Sequence, residues 1–269
     1  MLSRMLNRPF SITPLLAAIA MAVTLLPGSA FPDESDSRPF TFENWLLAPV
    51  RVHLLSASNA PAIHTTLSDR DVQRILKKMN GVWSQAGLTF WLESVVREEA
   101  TNQDYSVKMG LPDDLRGLLT LRPAASRATN CFHIYYIKQF SVNGVYLGAA
   151  MFVKDAASLR RVPGGIDEPI PRVSSHELGH ALSLAHHTNE AHLMARGTTG
   201  TNLDLIEIRQ ARDAARQLPW IEPAAEVLVR ADALQRKRQS TEARGLYARI
   251  AVMPLEDARV RRARSHGVR

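Results

Sequence analysis

His176, Glu177 and His180 form the pattern H-E-x-x-H, and these residue types at this spacing could build a hydrolytic metal site. On an α-helix, residues four apart lie on one face, so the imidazoles of His176 and His180 can reach the same metal ion. Glu177 projects beside the pair, where its carboxylate can take a proton from an attacking water without being a ligand. The spacing therefore supplies two ligands and a base, and a third ligand must come from elsewhere.

The nearest candidate for the third ligand is His186, six residues after His180. It can reach the metal if the helix ends before it and the chain turns back. His187 and His192 are alternative ligands, although each is more typical of a solvent-facing or supporting histidine. An isolated H-E-x-x-H also occurs by chance in histidine-rich helices, so the further histidine and the residues after it carry the argument.

With His186, and with Met194 following in the run His-Leu-Met-Ala, the segment 176–194 resembles the metzincin clan of zinc peptidases, and the matrixins within it. The resemblance implies that His176, His180 and His186 bind Zn²⁺. It implies that Glu177 is the general base and that Met194 forms a tight turn beneath the metal.

The chain departs from the clan pattern at two positions. Ser183 stands where the clan has glycine, at the point where the helix must end in a left-handed conformation. A non-glycine residue there costs about 1–2 kcal/mol, which bound zinc can offset. Arg196 stands two positions after Met194, where some subfamilies carry tyrosine, so no tyrosine role is assigned.

Apolar periodicity predicts an α+β fold for the part of the chain that must position this motif. Alternation predicts a strand at residues 50–54, in which His53 faces the polar side, and a second strand at 88–92. Between them, Ser68 and Asp71 resemble a capping box that opens a long amphipathic helix ending near Gly87. Further strands are predicted at residues 132–137 and 145–153.

The resemblance implies a five-stranded mixed sheet above a cleft, with helices below it. By resemblance, the strand that forms the rim of the cleft lies within residues 144–153. The patterns place the N-cap of the zinc helix at Ser174 or Ser175 and predict a later helix from Asn202 to about Gln217.

Four segments are predicted along the chain. Residues 1–30 combine a basic start, an apolar core too short to span a membrane and small residues at the cleavage position, as in a signal peptide. Residues 31–46 form a leader segment, residues 47–219 the catalytic domain, and residues 220–269 a basic extension with a two-helix hairpin pattern. The protein is therefore expected to be secreted or periplasmic.

Composition limits the function classes. Cys131 is the only cysteine, which excludes an internal disulfide and any thiolate zinc site, and it is expected to be a small buried residue. The formal net charge of +7 arises mainly from the two ends of the chain, because residues 31–219 hold as many acidic as basic residues. No nucleic-acid partner is expected, whereas the basic extension could contact a membrane or envelope surface.

These observations predict an exported zinc endopeptidase that acts on peptide or protein substrates. One alternative is a gluzincin-type site, in which Glu207 or Glu190 replaces His186 as the third ligand. Another is a non-catalytic, zinc-stabilised envelope protein that recruits a partner through its helical extension. The bond cleaved, any activation step and the oligomeric state do not follow from the sequence.

Overall fold

The computed structural model describes residues 40–108, 112–124 and 127–267, which belong to one compact unit. The predicted signal peptide and the first nine residues of the predicted leader lie outside the described residues. Within the described part, none of the helices is long and apolar enough to cross a bilayer.

The described chain has one α-helix between its first two strands, then three more strands, and then helices with one two-residue strand among them, which confirms the α+β class. The strands are β1 (Leu46–Ser56), β2 (Leu88–Glu99), β3 (Phe132–Ile137), β4 (Gly144–Tyr146), β5 (Met151–Lys154) and β6 (Glu222–Pro223). The helices are α1 (Asp69–Trp83), α2 (Pro169–Ala181), α3 (Leu205–Arg216), α4 (Ala224–Arg236), α5 (Ser240–Ala251) and α6 (Ala258–Gly267). Short 3₁₀ segments lie at Phe42–Asn44, Ser84–Ala86, Gln103–Lys108 and Pro112–Leu121.

The strands form one mixed sheet in the order β2-β1-β3-β5-β4. The pairs β1–β2, β1–β3 and β3–β5 are parallel, whereas β4 runs antiparallel to β5. The short β6 pairs antiparallel with the start of β1. Strand β4 is therefore an edge strand of reversed direction, next to β5, which precedes the helix that carries the H-E-x-x-H residues.

Helix α1 forms as the sequence predicts. The Ser68 hydroxyl accepts the amide of Asp71, whose carboxylate accepts the amide of Ser68, so the predicted capping box is present. The predicted apolar stripe is buried: Val72, Ile75, Leu76, Met79 and Trp83. These side chains and residues of α2 and α3 pack with the apolar residues of one sheet face into a single core.

The opposite face of the sheet is also covered, which makes the prediction for His53 wrong. Its imidazole is fully buried and stacks on Tyr135, with ring centroids 4.0 Å apart. His53 Nδ1 lies 2.7 Å from the Glu98 carboxylate, and its Nε2 lies 2.8 Å from His133. Alternation correctly gave the side of the strand on which His53 lies, but a second apolar cluster covers that side.

The predicted strand 145–153 is two strands. Gly148 has φ +78°, a left-handed conformation that an extended strand cannot contain, and the chain reverses there between β4 and β5. The result is a short hairpin instead of one straight strand.

Both predicted N-caps near the site are wrong. Helix α2 begins at Pro169, because proline fits the first position of a helix, and Ser174 and Ser175 are buried within it. Helix α3 is capped by Asp204, whose carboxylate accepts the amide of Glu207. Asn202 instead bonds through its backbone to the preceding loop.

The C-terminal extension contains three helices, one more than the predicted hairpin pattern. Helix α4 packs on α5, and α5 packs on α6. They share one apolar cluster with Phe42, Trp45 and Leu47, at and just before the beginning of β1. Cys131 is buried directly before β3, as expected.

Candidate metal centre

Helix α2 ends in the turn that the motif requires. Ser183 has φ +68°, so a serine adopts the left-handed conformation that usually belongs to glycine. The Leu184 amide donates to the Gly179 carbonyl and the Ser183 amide to the His180 carbonyl, which is the paired arrangement of a Schellman motif. The chain after Ser183 therefore turns back along the helix, toward the side that carries His176 and His180.

This turn brings His186 to the other two histidines. The Nε2 atoms of His180 and His186 lie 3.2 Å apart, and one ring nitrogen from each of the three residues lies within 4.8 Å of the others. The His180 ring is nearly perpendicular to the His176 and His186 rings, at 89° and 84°. Three imidazoles that converge at such angles fit a single tetrahedral cation such as Zn²⁺.

Backbone carbonyls orient two of the three rings. His176 Nδ1 lies 2.8 Å from the Leu193 carbonyl, and His180 Nδ1 lies 2.9 Å from the Leu184 carbonyl. A carbonyl can only accept, so these contacts place the proton on Nδ1 and leave the lone pair on Nε2. At His176 the carbonyl contact is 0.5 Å shorter than the 3.3 Å approach of Arg172 Nη1 to the same nitrogen, and it therefore decides the tautomer. Such supports are the usual means by which ligating histidines are held in the binding tautomer.

The electrostatics of the cluster favour the neutral imidazole, the form that binds a metal. Burial, and after it the charge of the nearby Arg172, lowers the pKa of His176 to about 3. Burial also lowers the pKa values of His180 and His186, to which the Arg196 charge contributes. The donor set, its convergence and its protonation thus all fit a zinc ion.

Glu177 lies beside the histidines and against the edge strand β4. The residue is 4% exposed, and burial raises the pKa of its carboxyl to about 8, against the opposing effects of the Tyr146 backbone amide and of Arg172. The close approach depends on Gly144, since a Cβ there would lie 2.8 Å from Glu177 Oε1. The carboxyl is therefore shielded from solvent, which favours its protonated form. A divalent cation nearby would favour the ionised form instead.

Met194 is fully buried beneath α2, where a Cβ on Gly179 would overlap its sulfur atom. The resemblance placed Met194 in a turn at this position. Its carbonyl accepts the amide of His187, and the amide of Leu193 donates to the carbonyl of Asn202, so the turn is tied at both ends.

Arg172 is a residue of the site that sequence reasoning missed. The residue is 2% exposed, and its guanidinium donates to the carbonyls of Ala195 and Gly200, which anchors the Met194 turn under α2. Burial lowers its pKa to about 10. The sequence feature that could have identified Arg172 is its position four residues before His176, which places both side chains on the same face of the helix.

The alternative ligands lie elsewhere. Glu207 is 3.1 Å from His192 Nδ1 and also caps α3, and Glu190 pairs with Arg160. His187, His192 and Asp204 form a second histidine-containing group. Its two rings stack with centroids 3.8 Å and planes 7° apart, and His192 Nδ1 lies 3.1 Å from the Glu207 carboxylate.

The three histidines and Glu177 line a cleft of about 800 Å³. Strand β4 borders the cleft on one side, and Arg196 and Gly197 of the Met194 turn lie on its wall. No family model matches the chain, and no curated protein is significantly similar to it.

Proposed function

We propose that this protein is an exported zinc-dependent endopeptidase with a metzincin-like, matrixin-related catalytic domain. The observation that carries the proposal is the convergence of His176, His180 and His186 on one point, with the Glu177 carboxyl beside it in a cleft. The mixed sheet, with β4 inside the range predicted for the rim strand, and the buried Met194 add support, because the resemblance implies a mixed sheet, such a strand and a methionine turn.

In this proposal His176, His180 and His186 hold the ion through Nε2. Bound zinc supplies a Lewis acid, which lowers the pKa of water and polarises a carbonyl group. The Leu193 and Leu184 carbonyls keep two of the ligands in the binding tautomer. The Schellman turn at Ser183 delivers the third, and Arg172 anchors the Met194 turn, whose carbonyl accepts the amide of the neighbouring His187.

Glu177 moves the proton. Its carboxylate takes a proton from the attacking water and passes it to the leaving amine of the substrate. Burial in the cleft keeps competing water away from the carboxylate, and the backbone of β4 holds it on the side of the histidines. An extended peptide could pair with β4 along the edge that no strand of the described residues covers, which would align its backbone over the histidines.

The experiment is hydrolysis of a mixed peptide library by the purified protein, with cleavage sites read by mass spectrometry. We expect internal cleavages that a chelator abolishes and zinc restores. The Glu177→Gln variant should cut at least 10³-fold more slowly, since it removes the base but keeps the ligands. Unchanged cleavage in that variant would refute the proposal.

The gluzincin-type alternative has less support. Glu207 and Glu190 are occupied by His192 and Arg160, and neither belongs to the group formed by the three histidines among the described residues.

A further inference from the structure

Arg196 lies on the wall of the cleft, and its positively charged guanidinium contacts a histidine instead of a carboxylate. It is exposed, and its Nε and Nη2 lie 3.2 and 3.0 Å from His186 Nδ1. Within the part of the chain that the structure describes, it forms no ion pair with a carboxylate. Its sequence position, two residues after Met194, places it directly beside the third histidine of the cluster.

The contact with His186 fits only one tautomer. A guanidinium has donors alone, so His186 Nδ1 must be the acceptor and the ring proton must sit on Nε2. A neutral imidazole that binds a cation through Nε2 carries its proton on Nδ1 instead. The two arrangements exclude each other, so a His186 that ligates zinc leaves Arg196 without its acceptor.

No other charged residue that lines the cleft can replace His186 Nδ1 as the hydrogen-bond acceptor of Arg196. The charged lining residues other than Arg196 are Arg172 and Glu177. Arg172 is a second cation, buried on backbone carbonyls, and Glu177 is held against Gly144 on β4. The cleft therefore has more positive than negative groups, and a bound dication would increase the excess.

We propose that Arg196 selects peptides that carry a carboxylate close to the scissile bond, by binding that carboxylate in the cleft. This inference rests on the proposed function. The planar guanidinium can bind a carboxylate through two parallel hydrogen bonds, and such charge-assisted pairs are stronger than neutral hydrogen bonds. The carboxylate can be an acidic side chain or the C-terminus of the peptide, since both present the same group.

The test uses one library-derived peptide in four forms: glutamate or glutamine beside the cleavage site, each with a free or an amidated C-terminus. On the zinc-loaded enzyme we expect kcat/KM to be about 10–100-fold higher for a peptide that carries the preferred carboxylate than for the glutamine peptide with an amidated C-terminus. The difference should arise mainly from a lower KM. The form that carries the preference identifies the source of the carboxylate. The same labelled peptides are titrated by fluorescence anisotropy onto zinc-loaded Glu177→Gln, where the Kd should show the same preference.

The Arg196→Ala variant should lose the preference for carboxylate peptides in both measurements, and Arg196→Lys should keep part of it. Arg196→Glu should instead favour the same peptide with lysine in place of the glutamate. Arg161→Ala is the matched control, because Arg161 is an exposed arginine that does not line the cleft. Zinc affinity, measured by chelator competition, should be unchanged or tighter in Arg196→Ala. Weaker zinc binding would make Arg196 a support of His186 and would overturn the inference.

Equal binding and cleavage of the acidic and amide peptides, or a preference that survives Arg196→Ala, would also overturn it and leave the peptidase proposal intact. Absence of cleavage of every peptide would refute the peptidase proposal, whereas the binding measurement on Glu177→Gln would still decide the role of Arg196.

Discussion

At the scale of single residues, the position of Glu177 depends on Gly144 as much as on the helix. The histidine pattern predicts that Glu177 lies beside the ligands, because helix periodicity fixes that relation. It does not predict that the carboxyl rests against an edge strand, because this contact joins residues 33 positions apart. The missing side chain of Gly144 is what allows it.

Gly144→Ala should therefore lower kcat by about 10–100-fold, because the new Cβ displaces the carboxyl that moves the proton. Zinc content, measured by elemental analysis, should remain unchanged, since the three atoms nearest to the new Cβ belong to Val173 and Glu177 and not to the histidines. Gly81→Ala is the control, because a Cβ at that position on α1 meets nothing within 4 Å. A Gly144→Ala enzyme with wild-type kcat would contradict this account.

His53 shows the limit of residue-level prediction. Alternation states which side chains share a face of a strand, but not whether another part of the chain covers that face. Here the cover comes from segments far away in sequence, including the 3₁₀ segment Pro112–Leu121. Arg172 was missed for a similar reason, since its carbonyl partners lie 23 and 28 positions away.

At the scale of elements, the end of α2 decides whether the cluster forms. The Schellman bonds around Ser183 redirect the chain so that His186 meets His180. Serine keeps the left-handed turn at a cost that glycine would not incur. The helix end is therefore a strained element that the neighbouring packing and a bound metal would hold in place.

Ser183→Gly should raise the free energy of unfolding of the metal-free protein by about 1 kcal/mol, because glycine adopts the φ of +68° without steric cost. Urea denaturation measures this directly. Ser84→Gly should have the opposite effect, since Ser84 follows α1 in a right-handed conformation. A loss of stability in Ser183→Gly would contradict the strain argument.

The start of a helix was predictable from the sequence where the capping residues and the stripe of apolar residues indicate the same position, as in α1. The predicted start was wrong where two caps compete, because Asp204 with Glu207 caps α3 better than Asn202 does. Proline at the first position moved the start of α2 ahead of both predicted serines. The strand divided at Gly148 because a single positive φ outweighs the β propensity of its neighbours.

At the scale of the whole molecule, strand β1 joins three apolar clusters. One face packs against α1 and α2, and the other carries one cluster near its start and one near its end. The C-terminal helices supply most of the cluster near its start, around Trp45 and Leu47. We therefore expect them to unfold together with the body of the protein.

Leu228→Ala on α4 should lower the free energy of unfolding of the whole protein by about 2–4 kcal/mol, because it leaves a cavity in this shared cluster. Calorimetry should show one shifted transition. Val229→Ala is the matched control, since Val229 is 65% exposed on the same helix. Two separate transitions would indicate that the extension folds independently.

The extension should also give the protein a specific alkaline sensitivity. Burial and the Asp232 carboxylate, 2.6 Å away, raise the pKa of Tyr247 to about 12. A tyrosine in the unfolded chain loses its proton near pH 10, so this group disfavours the folded state as the pH rises from about 10 to 12. Tyr247→Phe should reduce the slope of stability against pH in that window, measured by urea denaturation, and an unchanged slope would contradict the assignment.

The number of C-terminal helices was not predictable from apolar stripes, because α6 is rich in arginine and buries only Val260 and Ala263 among its apolar residues. Docking of the extension depends on Phe42, Trp45 and Leu47, whose partners lie about 180 positions later. Such long-range pairing leaves no periodic signal in the sequence.

The central claim is that three histidines bind one zinc while Glu177 acts only as a base. The most direct test is the zinc content of the purified protein, measured by elemental analysis beside His186→Ala and Glu177→Gln, with peptide hydrolysis followed in parallel. We expect one zinc per chain in the wild type and in an inactive Glu177→Gln, and a weakened site in His186→Ala. Full zinc retention without His186, or loss of zinc in Glu177→Gln, would contradict the account.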